Sequence, residues 1–144
     1  MPLQLYIDRL ERFSMQCGAK VIRNSLAGGV LGRVEGRRIV LRSGLCLEQQ
    51  LLTLAHELTH LIAHCNASPR PNRTVCEYEA EAVEKWVGAE LKVSPHTEAG
   101  LDVASLTDDL LACSVIRVRW AAGTLLRVAR GGASGAAEYQ RLQA

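Results

Sequence analysis

The sequence His56-Glu57-Leu58-Thr59-His60 constrains the fold of this chain more than any other feature, because it places polar groups within an apolar helical segment. The apolar residues around it are Leu51, Leu52, Leu54, Ala55, Leu58, Leu61 and Ile62. Residues four apart lie nearly above one another on a helix, so the imidazoles of His56 and His60 share one face, with Glu57 beside them. Buried imidazoles need partners, and one metal ion can satisfy both.

The residue types in this motif suit a zinc site with hydrolytic chemistry. Neutral imidazole nitrogen binds Zn²⁺ well, and a Zn²⁺ ion with three protein ligands keeps its fourth coordination position for water. The ion lowers the pKa of that water to about 7, and a neighbouring carboxylate can accept its proton. The motif therefore predicts His56 and His60 as ligands and Glu57 as the general base. The alternative is an amphipathic helix in which both histidines are structural.

A third ligand is expected from the glutamate-rich segment that follows the motif, residues 74–91. If Val83 and Trp86 are buried, helical periodicity places Glu79 on the same inward face. A buried carboxylate needs compensation, so Glu79 is predicted to bind the metal. A structural salt bridge at Glu79 is the alternative.

Other polar residues near the motif have different explanations. Thr74 and Glu77 have the spacing of a capping box at a helix N-terminus. Glu81 and Glu84 fit a solvated helix face. His64, four residues beyond the motif, is a secondary site candidate with three possible roles: a fourth ligand, a group that polarises the substrate, or a histidine satisfied near the helix end.

Two segments together resemble a known family. They are residues 53–64 (TLAHELTHLIAH) and 77–83 (EYEAEAV), and they are similar to the ImmA/IrrE family of zinc metallopeptidases. The resemblance implies that Glu79 supplies the third ligand and Glu57 the general base. It also implies a hairpin strand before the metal helix, and substrates among the transcriptional repressors of phages, mobile elements or stress responses.

Length and composition predict one domain. The chain has 144 residues, of which 48% are hydrophobic, as is typical of a single core. We assign residues 1–130 to a zincin-like domain and residues 131–144, which begin Gly-Gly-Ala-Ser-Gly, to a flexible tail. No apolar run approaches the roughly 20 residues that span a membrane, and the N-terminus lacks the pattern of a secretory signal. We therefore expect a cytoplasmic protein without membrane contact.

Charge and cysteine content limit the partners further. The formal net charge is only +2, and scattered acids accompany the arginines near the C-terminus, so we expect no direct nucleic-acid binding. The five cysteines form no CxxC pair, which argues against a disulfide framework or a separate zinc knuckle.

The expected fold is α+β: a compact zincin-like domain, mainly helical, with a small antiparallel hairpin packed on the motif helix. Apolar residues at helical spacing predict a first helix before Gly18. Glu35-Gly36 separates two strand-like segments and predicts the hairpin. Residues 101–113 and 115–130 have the pattern of two further helices.

These expectations combine into a zinc-dependent metallopeptidase that hydrolyses a peptide bond in a protein substrate, which the resemblance implies is a helix-turn-helix repressor. The hairpin is expected to hold an extended substrate beside the metal, to cover the motif helix, or both. The alternative function is a non-catalytic zincin-like module that binds a regulator protein or nucleic acid. Glu57 argues against that alternative, because a closed structural zinc site has no need for this carboxylate.

Overall fold

The polypeptide forms four α-helices and three strands in the computed structural model, which describes residues 2–93 and 108–132. In chain order the elements are α1 (Leu3–Gln16), β1 (Lys20–Asn24), β2 (Gly32–Glu35), β3 (Arg38–Arg42), α2 (Leu47–Thr59), a π-helical turn (His60–His64), α3 (Arg73–Glu90) and α4 (Asp108–Ala129). The expected α+β class, mainly helical with a small sheet, is confirmed.

The three strands form a mixed sheet in the order β1-β3-β2. Strands β2 and β3 are the predicted antiparallel hairpin, with Val34 opposite Ile39 and Gly36 in the turn at a φ of 58°. Strand β1 adds to the other side of β3 in parallel. Residues Ile39 to Leu41 of β3 are all buried, which is typical of a central strand covered on both faces. Because β2 is the last strand in the sheet order, it lies at an edge.

Helix α2 is at the centre of the core. It packs against α1, α3 and both hairpin strands, while α4 packs against α1 and α3. Its fully buried residues are Leu51, Leu52, Leu54, Ala55 and Leu58. Each such leucine contributes about 1.5–3 kcal/mol through burial, so the motif on this helix has a rigid support.

The C-terminal part of the domain differs from the prediction. Where two helices were expected with a break near Ser114, α4 continues through that residue to Ala129. Gly131 then follows with a φ of 87°, which ends the helix in the left-handed region. Residues 94–107, which include His96, lie outside the described residues, as does most of the predicted tail, residues 133–144. Among the helices that are described, none is both long and apolar enough for a membrane span.

Candidate metal centre

Helix α2 and the π-helical turn place the histidines. His56 and Glu57 lie in the last turn of α2, and His60 opens the π-helical turn, in which the amide of Cys65 donates to the carbonyl of His60 five residues back, at 2.9 Å. Single π-helical turns inside α-helices occur frequently at functional sites. Here the wider turn begins at a histidine of the motif.

Glu77 of α3 meets both motif histidines. Its Oε2 lies 3.3 Å from Nε2 of His56, and its Oε1 lies 3.1 Å from Nε2 of His60. One ligand atom from each of the three residues falls within 4.8 Å of the other two. Two imidazole nitrogens and one carboxylate oxygen, all partly exposed, match the donor set of a catalytic zinc site with an open position.

The electrostatics of this cluster favour positive charge. Burial alone lowers the pKa of His56, but hydrogen bonds to Glu77 and Glu84 outweigh it and raise the pKa to about 10. Hydrogen bonds from His56 and His60 hold the pKa of Glu77 well below its usual range. Glu77 therefore stays ionised beside the two imidazoles, as a carboxylate ligand must be.

Glu79 lies elsewhere, although it is fully buried as the periodicity predicted. Its carboxylate accepts hydrogen bonds from His64 at 2.8 Å and from Ser114 at 2.5 Å, and it accepts three more from Nε and Nη2 of Arg117. The structure therefore brings Glu77, and not Glu79, to His56 and His60. The inward face of α3 points toward α4 at Glu79, whereas Glu77, two residues earlier, points into the cleft.

Two expectations that had excluded Glu77 from the ligand set are wrong. Helix α3 begins at Arg73 with Asn72 as its N-cap, whose side chain accepts a hydrogen bond from the amide of Val75 at 2.9 Å. The proposed capping box at Thr74 is therefore not formed. Trp86, taken as a buried marker, is 40% exposed, and the buried side of the helix runs through Val83 and Val87 instead.

Glu84 is a further site residue that the sequence reasoning missed. It was placed on a solvated face, yet it is buried, and its Oε1 lies 3.3 Å from Nδ1 of His56. Glu84 follows Glu77 by seven residues, or about two helical turns, so both lie on the same face of α3. This spacing is the feature of the sequence that could have identified Glu84 as a site residue. His56 thus has a carboxylate at each ring nitrogen, and the carboxylate on Nδ1 orients the ring.

Glu57 is the carboxylate that faces the cleft from α2. It is only 7% exposed, and burial raises its pKa to about 7, with His56 acting in the opposite direction. A carboxylate with a pKa near neutrality can both accept and return a proton. This environment suits the predicted role of Glu57 as a general base.

The site opens into a cleft of about 930 Å³. One wall is the edge strand β2 with the residues before it, and the other is the start of α3 with the loop that precedes it, including Arg70 and Pro71. Gly32 of β2 lies so close to α2 that a Cβ atom there would fall 2.6 Å from Cγ2 of Thr53 and 3.3 Å from Cγ of Glu57. The absence of a side chain allows the edge strand to lie directly against the motif.

His64 does not line this cleft and is fully buried. Its Nδ1 lies 3.0 Å from Nδ1 of His60, and its Nε2 lies 2.8 Å from Oε1 of Glu79. Both ring nitrogens are therefore engaged inside the protein. Among the described residues, Cys17, Cys46, Cys65 and Cys76 are free thiols.

Comparison with known proteins agrees with this geometry. A family model described as the IrrE N-terminal-like domain of a peptidase family matches residues 15–110, which is two thirds of the chain and includes both helices of the site. Neither the search of curated proteins nor the search of solved structures gave a match.

Proposed function

The chain belongs to the peptidase family of IrrE N-terminal-like domains, and we propose that it is a zinc-dependent peptidase that hydrolyses a peptide bond in a protein substrate. The observation that carries this proposal is the convergence of His56, His60 and Glu77 beside Glu57 in an open cleft. A site with only structural histidines would not need four such groups in one place.

We propose His56, His60 and Glu77 as the zinc ligands, with Glu77 in place of Glu79. Nε2 of each histidine faces the carboxylate of Glu77, so all three donors point to one position. Zn²⁺ in this position supplies a Lewis acid for the scissile carbonyl and lowers the pKa of water. The outer nitrogens of the two rings are held by Glu84 and His64, which fixes the ring orientations.

Glu57 is the proposed general base and then general acid. It projects from the same helix face as the two histidines, one residue after His56, and is buried in the cleft wall. In this position it takes the proton from the attacking water and passes it to the nitrogen of the leaving amine. General acid–base catalysis of this kind contributes about 10²–10⁴-fold to the rate.

Strand β2 is the proposed substrate-binding edge. It pairs with β3 on one side, while residues 32–34 line the cleft with the other. An extended substrate can add to such an edge by main-chain hydrogen bonds, which aligns its backbone with the metal position. The close packing of Gly32 on α2 keeps this edge within reach of Glu57.

The substrate we propose is a helix-turn-helix repressor of a phage, mobile element or stress response, in a cytoplasmic setting. Its support is the resemblance of residues 53–64 and 77–83 to repressor-cleaving metallopeptidases. A regulator gene adjacent to the gene for this chain supplies the first candidate to test.

The deciding experiment incubates the candidate regulator with wild-type protein, with Glu57→Gln and with Glu48→Gln, each supplied with zinc. Gln at position 57 keeps the size of Glu57 but cannot accept the proton, so cleavage should fall by about 10²-fold or more while zinc is retained. Glu48 is exposed in the first turn of the same helix and lies outside the cleft lining, so its variant is the matched control and should cleave normally. Fragments are identified by mass spectrometry. Stoichiometric binding by wild type without cleavage would instead favour the non-catalytic binding module.

A further inference from the structure

We propose that His64 is a positioning residue that fixes the proton of His60 on Nδ1 and so leaves Nε2 of His60 free to bind the metal. The proposal concerns a series of side-chain contacts that runs from His60 through His64 and Glu79 to Arg117. It rests on the proposed metal site for its consequence, but its geometry stands without any metal.

The chain of contacts is continuous and largely buried. Nδ1 of His60 lies 3.0 Å from Nδ1 of His64, and Nε2 of His64 lies 2.8 Å from Oε1 of Glu79. His64 and Glu79 are both fully buried. Arg117 donates to both oxygens of Glu79, at 2.8 Å from Nε and 2.7 Å from Nη2, and Ser114 adds a third donor.

The proton position at the Glu79 end of this series of contacts follows from the ionised state of Glu79. The two-point contact with the Arg117 guanidinium marks Glu79 as an ionised carboxylate, which only accepts hydrogen bonds. Nε2 of His64 must therefore carry a proton and donate it. With Nε2 of His64 on Glu79, Nδ1 of His64 is the ring nitrogen that faces His60.

The assignment continues to the metal position. An imidazole that offers the lone pair of Nε2 to a metal carries its proton on Nδ1, so Nδ1 of His60 would then donate across the contact of 3.0 Å and Nδ1 of His64 would accept. Nε2 of His60 is the nitrogen that faces Glu77 and the proposed metal position. Partners on the outer nitrogen of a metal-bound histidine fix its tautomer and ring orientation, and removing them typically costs about 10–100-fold in metal affinity.

The fold supplies each part of this chain from a different element. The π-helical turn carries His60 and His64, α3 carries Glu79, and α4 carries Ser114 and Arg117. Through Ser114 and Arg117, helix α4 holds Glu79, and Glu79 in turn holds His64 against His60. The burial of Glu79 would be costly without these partners. In this position Glu79 holds His64 and does not itself bind the metal.

The first test is nuclear magnetic resonance on wild-type protein with ¹⁵N-labelled histidine, without metal and with zinc. A proton shared between two nitrogens gives a scalar coupling across the hydrogen bond. We expect this coupling between Nδ1 of His60 and Nδ1 of His64, with the proton covalently on His60, in both states. A proton on Nδ1 of His64, or no coupling in either state, would overturn the proposal whether or not the protein binds zinc.

The second test compares zinc affinity, by competition with a chelator, in His64→Leu and His64→Gln. Leucine removes both polar atoms, whereas glutamine offers one acceptor for His60 and one donor for Glu79. We expect a loss of about 10–100-fold for His64→Leu and recovery of most of it for His64→Gln. Wild-type affinity in both variants, or an equal loss in both, would overturn the proposal. If His64→Leu does not fold, the glutamine variant and the wild-type coupling decide. Failure of wild type to bind zinc would refute the proposed function instead.

Discussion

At the scale of single residues, the site separates two carboxylates by their surroundings. Glu57 is buried, and burial raises its pKa to about 7. Glu77 is nearly half exposed and touches two imidazoles, which hold its pKa below the usual range. A carboxylate that ionises near neutrality is suited to move a proton, and one that stays ionised is suited to hold a cation.

The ligand assignment predicts a difference between Glu77 and Glu79. Glu77→Ala should lose zinc, because it removes one of three donors at the metal position. Glu79→Gln should keep about one zinc per chain at saturating metal, though with weaker affinity, since it acts through His64. Metal analysis of the purified variants after dialysis against zinc checks this. Zinc retained in Glu77→Ala and absent from Glu79→Gln would reverse the assignment.

The residue scale is also where sequence reasoning reached its limit. The positions of His56, Glu57 and His60 follow from spacing along one helix, so sequence alone predicts that they share a face. The third ligand depends on how α3 packs against two neighbours at once. Burial of Glu79 could be predicted, but the partners that compensate it, Ser114 and Arg117, come from a helix 35 residues or more away in sequence.

At the scale of elements, the contact between β2 and α2 shapes the cleft. Gly32 is the closest point of this contact, and a side chain there would also meet the carbonyl of Val40 at 3.2 Å. Thr53 and the β3 backbone are both anchored in the core and cannot easily retreat. The distance between the edge strand and the motif is therefore set by the absence of one methyl group.

Gly32→Ala should move the edge strand away from α2. We expect a loss of about 1–3 kcal/mol in the free energy of unfolding, typical of overpacking, and weaker cleavage with zinc retained. Gly29→Ala is the matched control, because a Cβ atom at Gly29 meets nothing within 4 Å. Urea denaturation and metal analysis of both variants provide the measurement. Equal stability and cleavage in the two variants would show that the strand does not depend on close packing at Gly32.

The link between α3 and α4 predicts a pH dependence of stability. Although burial opposes ionisation, hydrogen bonds from His64, Arg117 and Ser114 lower the pKa of Glu79 from 4.5 to about 2. A lowered pKa in the folded state stabilises the fold above pH 4.5, and this contribution is lost as the pH falls from 4.5 toward 2. The stability advantage of wild type over Glu79→Gln should therefore shrink across that window.

Urea denaturation of zinc-free protein at several pH values measures this advantage. Glu90→Gln is the control on the same helix, because Glu90 pairs with Arg130 at 3.2 Å with both side chains about half exposed. Such a surface pair contributes only about 0–1 kcal/mol, so wild type and Glu90→Gln should differ little. An advantage over Glu79→Gln that stays constant down to pH 2 would contradict the ionised state of Glu79.

At the scale of the whole molecule, the groups that face the cleft and the groups that hold them in place come from different elements. Helices α2 and α3 supply the groups that face the cleft, β2 supplies its edge, and α4 supports the outer side of the site through Arg117 and Ser114. The motif and the hairpin are local features, so the sequence predicted them. The continuity of α4 and the parallel addition of β1 depend on contacts between distant segments, which local patterns do not encode.

The most direct test of the account is the position of zinc in crystals of the zinc-loaded protein, located by anomalous scattering at the zinc absorption edge. We predict one peak, at about 2.0–2.2 Å from Nε2 of His56, from Nε2 of His60 and from the carboxylate of Glu77. Glu57 should lie beside it without being a ligand, and Glu79 should remain on Arg117. A peak bound to Glu79 or His64, or no peak between the two motif histidines, would contradict the account.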